Sequence, residues 1–325
     1  MNKTKQNKMR AIAVEEFGGL DNVKFHELPI PEVKPEQVLI KVEAVAVEVW
    51  DPADYGGAFA RMYPGEPEFP YVIGSEGAGK IAQVGSDVEG FQVGDRVFGI
   101  NTGRTQQWGF YAEYIPLNAD KVWKIPDELD TLRAAVTLID SGTALTGLKN
   151  VLDLQKGENL MVFGASGGIG HFAVQLGKIM GANVLAVASG DDGVEYVKSL
   201  DCDKVINGYT DNIKKAAREF STDGIDAALL TAGGEKAKEA IEGIKPGGRV
   251  AYPNGIQDPP EEAEGINIQS YDGKNDRELI NELLQMIDFA KYDVLVSHSF
   301  DFDDFFAAQK RLNEHYLGKL ALEIK

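Results

Sequence analysis

The sequence predicts an α/β protein of two domains, a β-rich domain followed by a doubly wound parallel sheet. The first observation is length, since 325 residues exceed what one compact core usually holds. The second is a change near residue 131, where short alternating segments give way to strand-length apolar runs separated by helical periods. The third is a glycine-rich turn between one of these runs and a helical segment.

Residues 9–131 are predicted to form the β-rich domain. Val38–Val45 alternates between apolar and polar positions, as a half-buried strand does. Frequent glycines then divide the chain into short segments that are typical of strands joined by turns. These glycines are Gly74, Gly77, Gly79, Gly85, Gly90 and Gly94.

Residues 132–275 are predicted to form the parallel sheet. Helical patterns lie between most of six strand-length runs, and six strands with right-handed crossovers complete a doubly wound sheet. The runs are Leu160–Phe163, Val184–Ala188, Lys204–Ile206, Asp226–Leu230, Arg249–Tyr252 and Ile266–Ser270.

The remaining residues, 276–325, are too few for a domain, and we expect them to complete the first one. Their pattern predicts two helices, near Arg277–Phe289 and Asp303–Asn313, and two strands, Val294–Ser297 and Leu320–Ile324.

The composition and charge of the chain argue against several classes of protein. A formal net charge of −18 argues against nucleic acid as a partner, because phosphate binding needs clustered Lys and Arg. No apolar stretch is long enough to span a membrane, and no secretory signal is apparent, so we expect a cytoplasmic protein. The single cysteine, Cys202, excludes an internal disulfide and a multi-cysteine zinc site.

The segment Leu160–Gly170 predicts a dinucleotide site. An apolar strand runs into glycines and then into a helix, whose N-terminus can hold a pyrophosphate if the turn lacks side chains. The alternative is a glycine turn that serves packing alone. The predicted cofactor-binding residues are Gly164, Ser166, Gly167, Gly168, Ile169 and Gly170.

The end of the second strand predicts which cofactor is bound. NAD sites usually carry a carboxylate there, whereas this strand closes on Ala188 and Ser189. A small neutral residue leaves room for a 2′-phosphate and favours NADP(H). Asp191 and Asp192 follow at once, so NAD(H) stays possible, and Ser189 has a helix cap as its alternative role.

With this turn placed behind a glycine-rich β domain, the chain resembles the medium-chain dehydrogenase/reductase superfamily, close to its zinc-free quinone oxidoreductase branch. The resemblance implies a GroES-like catalytic domain and a Rossmann cofactor domain. The segments that carry it are Val72–Gly79, Val93–Val97, Gly109–Tyr114, Ile244–Val250 and Leu317–Leu320.

The same resemblance predicts no bound metal. Zinc alcohol dehydrogenases of this superfamily bind the catalytic metal through a Cys and the His of a Gly-His-Glu motif. Here Ser75 stands where that His would be, in Gly74–Glu76, and Glu48 stands at the Cys position. A pair such as Glu48 and Glu76 could in principle hold a metal, but zinc catalysis prefers at least one His or Cys.

Three catalytic candidates lie in a segment that borders the active-site cleft in similar proteins: Glu48, Asp51 and Tyr55. Tyr55 could donate a proton or form an aromatic wall. Glu48 could orient the nicotinamide ribose, relay a proton or form a structural ion pair.

Four further residues are predicted to contact the cofactor. Thr143 matches a threonine near the nicotinamide of similar enzymes, with a helix hydroxyl as the alternative. Tyr209 resembles a tyrosine near the adenine end. Gly233 and Asn254 follow the fourth and fifth strands at their carboxyl ends, where open α/β sheets bind ligands.

Together these features predict an NADP(H)-dependent oxidoreductase that transfers hydride to a small-molecule substrate, a quinone or α,β-unsaturated carbonyl, without a metal. The alternatives are a zinc-free alcohol or ketone reductase and a cofactor-binding protein without turnover. Gly265–Ser270 reads as an edge strand that similar proteins pair across a two-fold axis, which predicts a homodimer.

Overall fold

A computed structural model of the chain describes residues 8–60, 66–101 and 107–325. These divide into two compact units. Unit 1 comprises the described residues up to Leu138 together with Val296–Lys325, and unit 2 comprises Ile139–Leu295. The sequence analysis placed the two boundaries at 131/132 and 275/276, whereas the compact units divide at 138/139 and 295/296.

Unit 1 is rich in β-structure. Its strands within the described residues are β1 (Lys8–Val14), β2 (Val23–Pro29), β3 (Gln37–Val47), β4 (Tyr71–Val72), β5 (Glu76–Val84), β6 (Arg96–Ile100), β7 (Tyr114–Asn118), β8 (Val122–Lys124), β15 (Val296–Asp301) and β16 (Lys319–Glu323). One sheet has the order β2-β1-β4, and a seven-stranded sheet has the order β15-β16-β3-β5-β6-β8 with β7 beside β3.

The long strand β3 lies at the centre of the larger sheet. Its β-branched residues Val38, Ile40 and Val42 are buried in the core of unit 1, which favours an extended backbone. The chain end returns to it, since β16 pairs antiparallel with β3 and places Leu320 opposite Val47. Unit 1 also contains three short helices, α1 (Asp51–Tyr55), α2 (Thr131–Ala134) and α9 (Phe305–Arg311).

Unit 2 contains a six-stranded parallel sheet. The strands are β9 (Asn159–Phe163), β10 (Asn183–Ala188), β11 (Lys204–Asn207), β12 (Ile225–Leu230), β13 (Ile244–Pro253) and β14 (Asn267–Tyr271). Their order is β11-β10-β9-β12-β13-β14, and every neighbouring pair is parallel. The strand order reverses direction after β11, as in a doubly wound sheet, so the predicted fold class is confirmed.

The helices that follow β9, β10, β11 and β12 connect successive strands of the sheet, and one further helix follows β14. Two begin with a side-chain cap: Asn212 accepts a hydrogen bond from the Lys215 N–H, and Asp276 accepts one from Leu279. The α-helices are α4 (Gly168–Ile179), α5 (Gly190–Lys198), α6 (Ile213–Phe220), α7 (Glu235–Ile241) and α8 (Arg277–Met286), and α3 (Leu138–Leu145) precedes them at the boundary with unit 1. Over the stretches that the structure describes, no helix is long and apolar enough to cross a membrane.

Candidate functional site

A tight glycine turn joins β9 to α4 in unit 2. Gly164 follows the strand in the left-handed region, with φ of 79°. Gly170 lies in the first turn of α4, where an added Cβ would overlap the carbonyl oxygen of Gly164. Glycine is therefore required at both positions, at Gly164 by backbone conformation and at Gly170 by the close approach of helix and strand.

The N-terminus of α4 opens directly after this turn. Gly167 is the N-cap residue in an extended conformation, and no side chain caps the helix. The first-turn N–H groups of Gly168, Ile169 and Gly170 have no acceptor within the helix. Three free donors at the positive end of a helix dipole make this end of α4 suited to a phosphate.

Two serine hydroxyls lie beside the turn. Ser166 is buried, and its Oγ lies 3.1 Å from the Oγ of Ser189 and accepts the backbone N–H of Ser189 at 3.2 Å. Ser189 is the N-cap residue of α5, yet its side chain makes no capping hydrogen bond. The hydroxyl of Ser189 thus points toward Ser166 rather than toward α5, which weakens the alternative that Ser189 serves only as a cap.

A cavity of about 440 Å³ opens at the carboxyl ends of β9, β10 and β12. This volume is in the range of small-molecule sites in proteins. Residues from several separate segments line it, and five of them are predicted cofactor-binding residues: Gly164, Gly167, Ser189, Tyr209 and Gly233. The cavity lies where a doubly wound sheet binds its ligands.

Lys236 also lines this cavity, and sequence reasoning missed it. Its Nζ lies 3.0 Å from Glu239 Oε2. No basic residue is close to Ser189 along the chain. In the sheet, however, β10 and β12 lie on either side of β9, so the segment after β12, which carries Lys236, lines the same cavity as Ser189. Thr231 and Gly208 line the cavity as well and were missed for the same reason.

Tyr209 stands at the cavity with 66% of its surface exposed. Its backbone N–H donates to the Asn207 Oδ1 at 3.0 Å, while the Asn207 Nδ2 donates to Asp191 at 2.8 Å. The Asn207 amide therefore holds one of the two carboxylates that follow β10.

Thr143 and Asn254 both contact Tyr271, the last residue of β14, and neither of them lines the cavity. The carbonyl oxygen of Thr143 accepts the Tyr271 hydroxyl at 3.1 Å. The Asn254 N–H donates to the Tyr271 carbonyl at 2.8 Å, and its side-chain amide donates to Asp272 at 3.0 Å.

Unit 1 brings a buried ion pair to one end of its larger sheet. Glu48 follows β3, Glu76 begins β5 and Lys319 begins β16. Since β3 runs antiparallel to both neighbours, these three residues lie at the same end. The Lys319 Nζ lies 2.8 Å from both carboxylate oxygens of Glu48 and 3.9 Å from Glu76 Oε1, and each side chain is at most 3% exposed.

Trp50 lies over this ion pair. The Lys319 Nζ is 5.5 Å from the centroid of the indole ring, within the range of a cation–π interaction. The indole N–H donates to the Ser75 Oγ at 3.3 Å. Glu48 and Ser75, the two positions compared with zinc ligands above, are thus engaged by Lys319 and Trp50.

Asp51 lies three residues after Glu48, at the start of α1, and is fully buried. Its Oδ2 accepts hydrogen bonds from the Tyr111 hydroxyl at 2.6 Å, the Gln309 side-chain amide at 2.7 Å and the Glu48 N–H at 3.1 Å. Burial raises the pKa of Asp51 to about 7, although the hydrogen bonds from Tyr111, Glu48 and Gln309 oppose that shift. Asp51 therefore holds the backbone that carries Glu48.

Tyr55, the third catalytic candidate, ends α1 with only 7% of its surface exposed. Burial, and secondarily the charge of Asp51, raises the pKa of its hydroxyl, so the hydroxyl keeps its proton at neutral pH. Glu48, Asp51 and Tyr55 thus lie on the short segment that joins β3 to α1 and on α1 itself, and their catalytic assignment stays a prediction.

Sequence reasoning missed the partners of this segment. Lys319 belongs to Leu317–Leu320, which supported the family resemblance, but only the strand register shows that it meets Glu48. Tyr111 and Gln309 lie 60 and 258 residues from Asp51 along the chain, and no local pattern marks them.

Comparison with known protein families agrees with this architecture. Residues 34–127 match the family described as the alcohol dehydrogenase GroES-like domain. Residues 168–282 match the family described as zinc-binding dehydrogenase. The first match lies in unit 1 and the second in unit 2, in the order that the sequence predicted.

Comparison with individual proteins gives closely related enzymes. The chain is 35% identical over 251 residues to a quinone oxidoreductase of Lama guanicoe, covering 76% of this chain and 73% of the relative. It is 33% identical over 275 residues to an alcohol dehydrogenase of Geobacillus stearothermophilus, covering 76% and 78%. The structure of a quinone oxidoreductase from Coxiella burnetii superposes with a TM-score of 0.82 at 24% identity, covering 98% and 100%.

Proposed function

Because the chain belongs to the medium-chain dehydrogenase/reductase superfamily, in its quinone oxidoreductase-like branch, we propose that it is an NADP(H)-dependent reductase of quinones or α,β-unsaturated carbonyls. The superfamily comprises nicotinamide-dependent oxidoreductases, and the choice of NADP(H) and of acceptor is our proposal. The observation that carries it is the N-terminus of α4, which no side chain caps and whose N-cap residue Gly167 lines the cavity of unit 2.

The residues of unit 2 fit a dinucleotide. The N–H groups of Gly168–Gly170 would hold the pyrophosphate, since no side chain caps this end of α4. The cavity would hold the adenosine end. When bound, the nicotinamide supplies a hydride.

Two observations favour NADP(H) over NAD(H). Ser189 places a small neutral side chain at the tip of β10, and Lys236 adds a cation to the lining of the same cavity. A 2′-phosphate needs room and a positive charge, and these residues offer both. Asp191 and the cavity-lining Glu235 oppose this preference through their charges, although the Asn207 amide donates to Asp191 and the Lys238 ammonium pairs with Glu235.

On the substrate side, the residues of unit 1 offer hydrogen bonding rather than metal chemistry. Quinones and enones place developing negative charge on an oxygen as hydride arrives, so a positioned donor suffices to stabilise it. The protonated hydroxyl of Tyr55 is the donor we assign to that oxygen. Asp51 and the Glu48–Lys319 pair act as positioning residues that hold the segment Val47–Tyr55 in place.

The test is oxidation of NADPH and NADH against a panel of quinones, enones, ketones and aldehydes. We expect NADPH to be preferred, and conjugated acceptors to be reduced faster than simple ketones. Cofactor binding without oxidation by any acceptor would contradict the enzymatic proposal. Faster turnover of simple ketones or alcohols would instead support the alternative of an alcohol or ketone reductase. The similarity to the Geobacillus alcohol dehydrogenase favours that alternative.

The cofactor preference has a matched pair of lysine variants. Lys236→Met removes the cation that lines the cavity, whereas Lys214→Met removes a lysine that pairs with Glu242, and neither member of that pair lines the cavity. We expect Lys236→Met to raise the KM for NADPH about tenfold, and that for NADH little, through the loss of one charge-assisted contact. Equal effects of the two variants would count against the NADP(H) proposal.

A further inference from the structure

The family description for unit 2 names zinc, so the chain can be tested for residues that fit this metal. Zinc prefers His nitrogen and Cys sulfur as ligands. Among the residues that the structure describes, no group of three or more His, Cys, Asp or Glu side chains could hold a metal ion. The donors present at the two compared positions are the carboxylate of Glu48 and the hydroxyl of Ser75, and zinc does not fit them.

These two donors are engaged within the chain itself. The Lys319 ammonium contacts both oxygens of Glu48 at 2.8 Å and approaches Glu76 at 3.9 Å. The Ser75 hydroxyl accepts the Trp50 indole N–H, which fixes the ring over the ammonium. A cation therefore already lies between two buried carboxylates, beneath an aromatic cover.

We propose that Lys319 is the resident cation of a two-carboxylate centre, Glu48 and Glu76, and that its ammonium excludes a divalent metal from that place. This inference goes beyond the proposed function and does not depend on it.

The physical reason is the cost of buried charge. A buried carboxylate stays ionised at a lower cost when a cation lies against it, and the cation that the fold brings to Glu48 and Glu76 is the Lys319 ammonium. A tethered ammonium has no translational entropy to lose, so it outcompetes a dissolved ion. Without the lysine, the two carboxylates and water would offer the oxygen ligands that Mn²⁺, Mg²⁺ and Ca²⁺ prefer.

The experiment removes the Lys319 ammonium and measures whether a divalent metal ion then binds. In Lys319→Met the apolar stem is kept, and Mn²⁺ binding is followed by electron paramagnetic resonance and calorimetry on the full chain. We expect one equivalent of Mn²⁺ to bind at least about tenfold more tightly than to the wild type. Lys319→Arg, which keeps a cation, should bind Mn²⁺ no better than the wild type.

The control for weak binding to the acidic surface is the double variant Glu48→Gln/Lys319→Met, in which the gained affinity should disappear. The proposal is overturned if folded Lys319→Met gains no affinity, or if the wild type binds Mn²⁺ in a way that Glu48→Gln alone abolishes. No nucleotide or acceptor enters this assay, so its outcome is separate from that of the proposed reaction.

The loss of Lys319 leaves two buried carboxylates facing each other and is expected to destabilise the fold. Lys319→Met is therefore also refolded with and without Mn²⁺, and circular dichroism and melting are recorded. Recovery of the fold by Mn²⁺, in this variant and not in the double variant, supports the proposal. An unfolded Lys319→Met that Mn²⁺ does not rescue contradicts it.

Discussion

Asp51 combines complete burial with an uneven hydrogen-bond environment. Its Oδ2 accepts three hydrogen bonds, whereas its Oδ1 is buried and has no partner within the described residues. The hydrogen bonds at Oδ2 stabilise the carboxylate form, whereas the removal of Oδ1 from water destabilises it. This is the physical cause of a pKa near 7 for a residue whose ordinary value is 3.8.

The stability of the protein should depend on this titration. The folded pKa of Asp51 lies above its unfolded value, so between these values the folded state binds more protons. The stabilisation from the protonated form is complete below the unfolded pKa of 3.8 and is lost as pH rises through about 7. From pH 5 to pH 8 the loss from this group is about 3 kcal/mol of the free energy of unfolding.

Asp51→Asn removes the titration while keeping an oxygen acceptor for Tyr111 and Gln309. Relative to the wild type, the variant should gain stability as pH rises from 5 to 8, by about 3 kcal/mol. Urea unfolding of both proteins at the two pH values measures this difference, since the other titrating groups are shared. Parallel pH profiles would show that Asp51 does not titrate in this range.

At the scale of elements, the unit β9–turn–α4 explains how a backbone can serve as a binding site. The left-handed Gly164 ends the strand, the uncapped Gly167 starts the helix and Gly170 allows contact between them. Gly164 and Gly170 have different physical reasons for lacking a side chain, a positive φ at Gly164 and the close approach of helix and strand at Gly170. The N–H groups that remain are aligned by the helix and need no rearrangement to meet a phosphate.

Gly168→Val tests whether this element carries the cofactor. Gly168 is the first residue of α4, so valine adds bulk at the start of the helix without a loss of helix propensity, since valine ranks above glycine. Loss of two phosphate–amide hydrogen bonds should weaken the affinity for NADPH and NADH by about 100-fold or more.

The measurement is a nucleotide titration of the wild type and the variant, with melting recorded beside it. Gly19→Val is a suitable control, because an added Cβ there meets no heavy atom within 4 Å. A folded Gly168→Val that binds either nucleotide as the wild type does would disprove the assignment of the loop.

At the scale of the whole molecule, the sheet of unit 2 ends at β14. This strand pairs with β13 on one side only, and its residues Asn267, Gln269 and Ser270 are exposed. An edge of this kind presents unpaired backbone groups, which a second copy can satisfy across a two-fold axis. We therefore predict a homodimer.

Light scattering at micromolar concentration should give twice the mass of one chain. Gln269→Lys, which places a charge on this exposed edge strand, should shift the mass toward that of the monomer. A monomeric wild type at this concentration would contradict the prediction.

The sequence by itself determined what local pattern controls. Apolar period and glycine placement predicted the six strands of the parallel sheet and the glycine turn between β9 and α4, because these depend on neighbours along the chain. The family resemblance, rather than a local pattern, singled out Glu48, Asp51 and Tyr55.

Only the tertiary structure decided how these residues are paired. Lys319 meets Glu48 through strand register across 271 residues, and Lys236 joins Ser189 at one cavity through strand order. The burial that raises the pKa of Asp51 is likewise a property of the assembled core. A buried charge is stabilised by whichever partner the fold brings within contact, and separation along the chain carries no information about that partner.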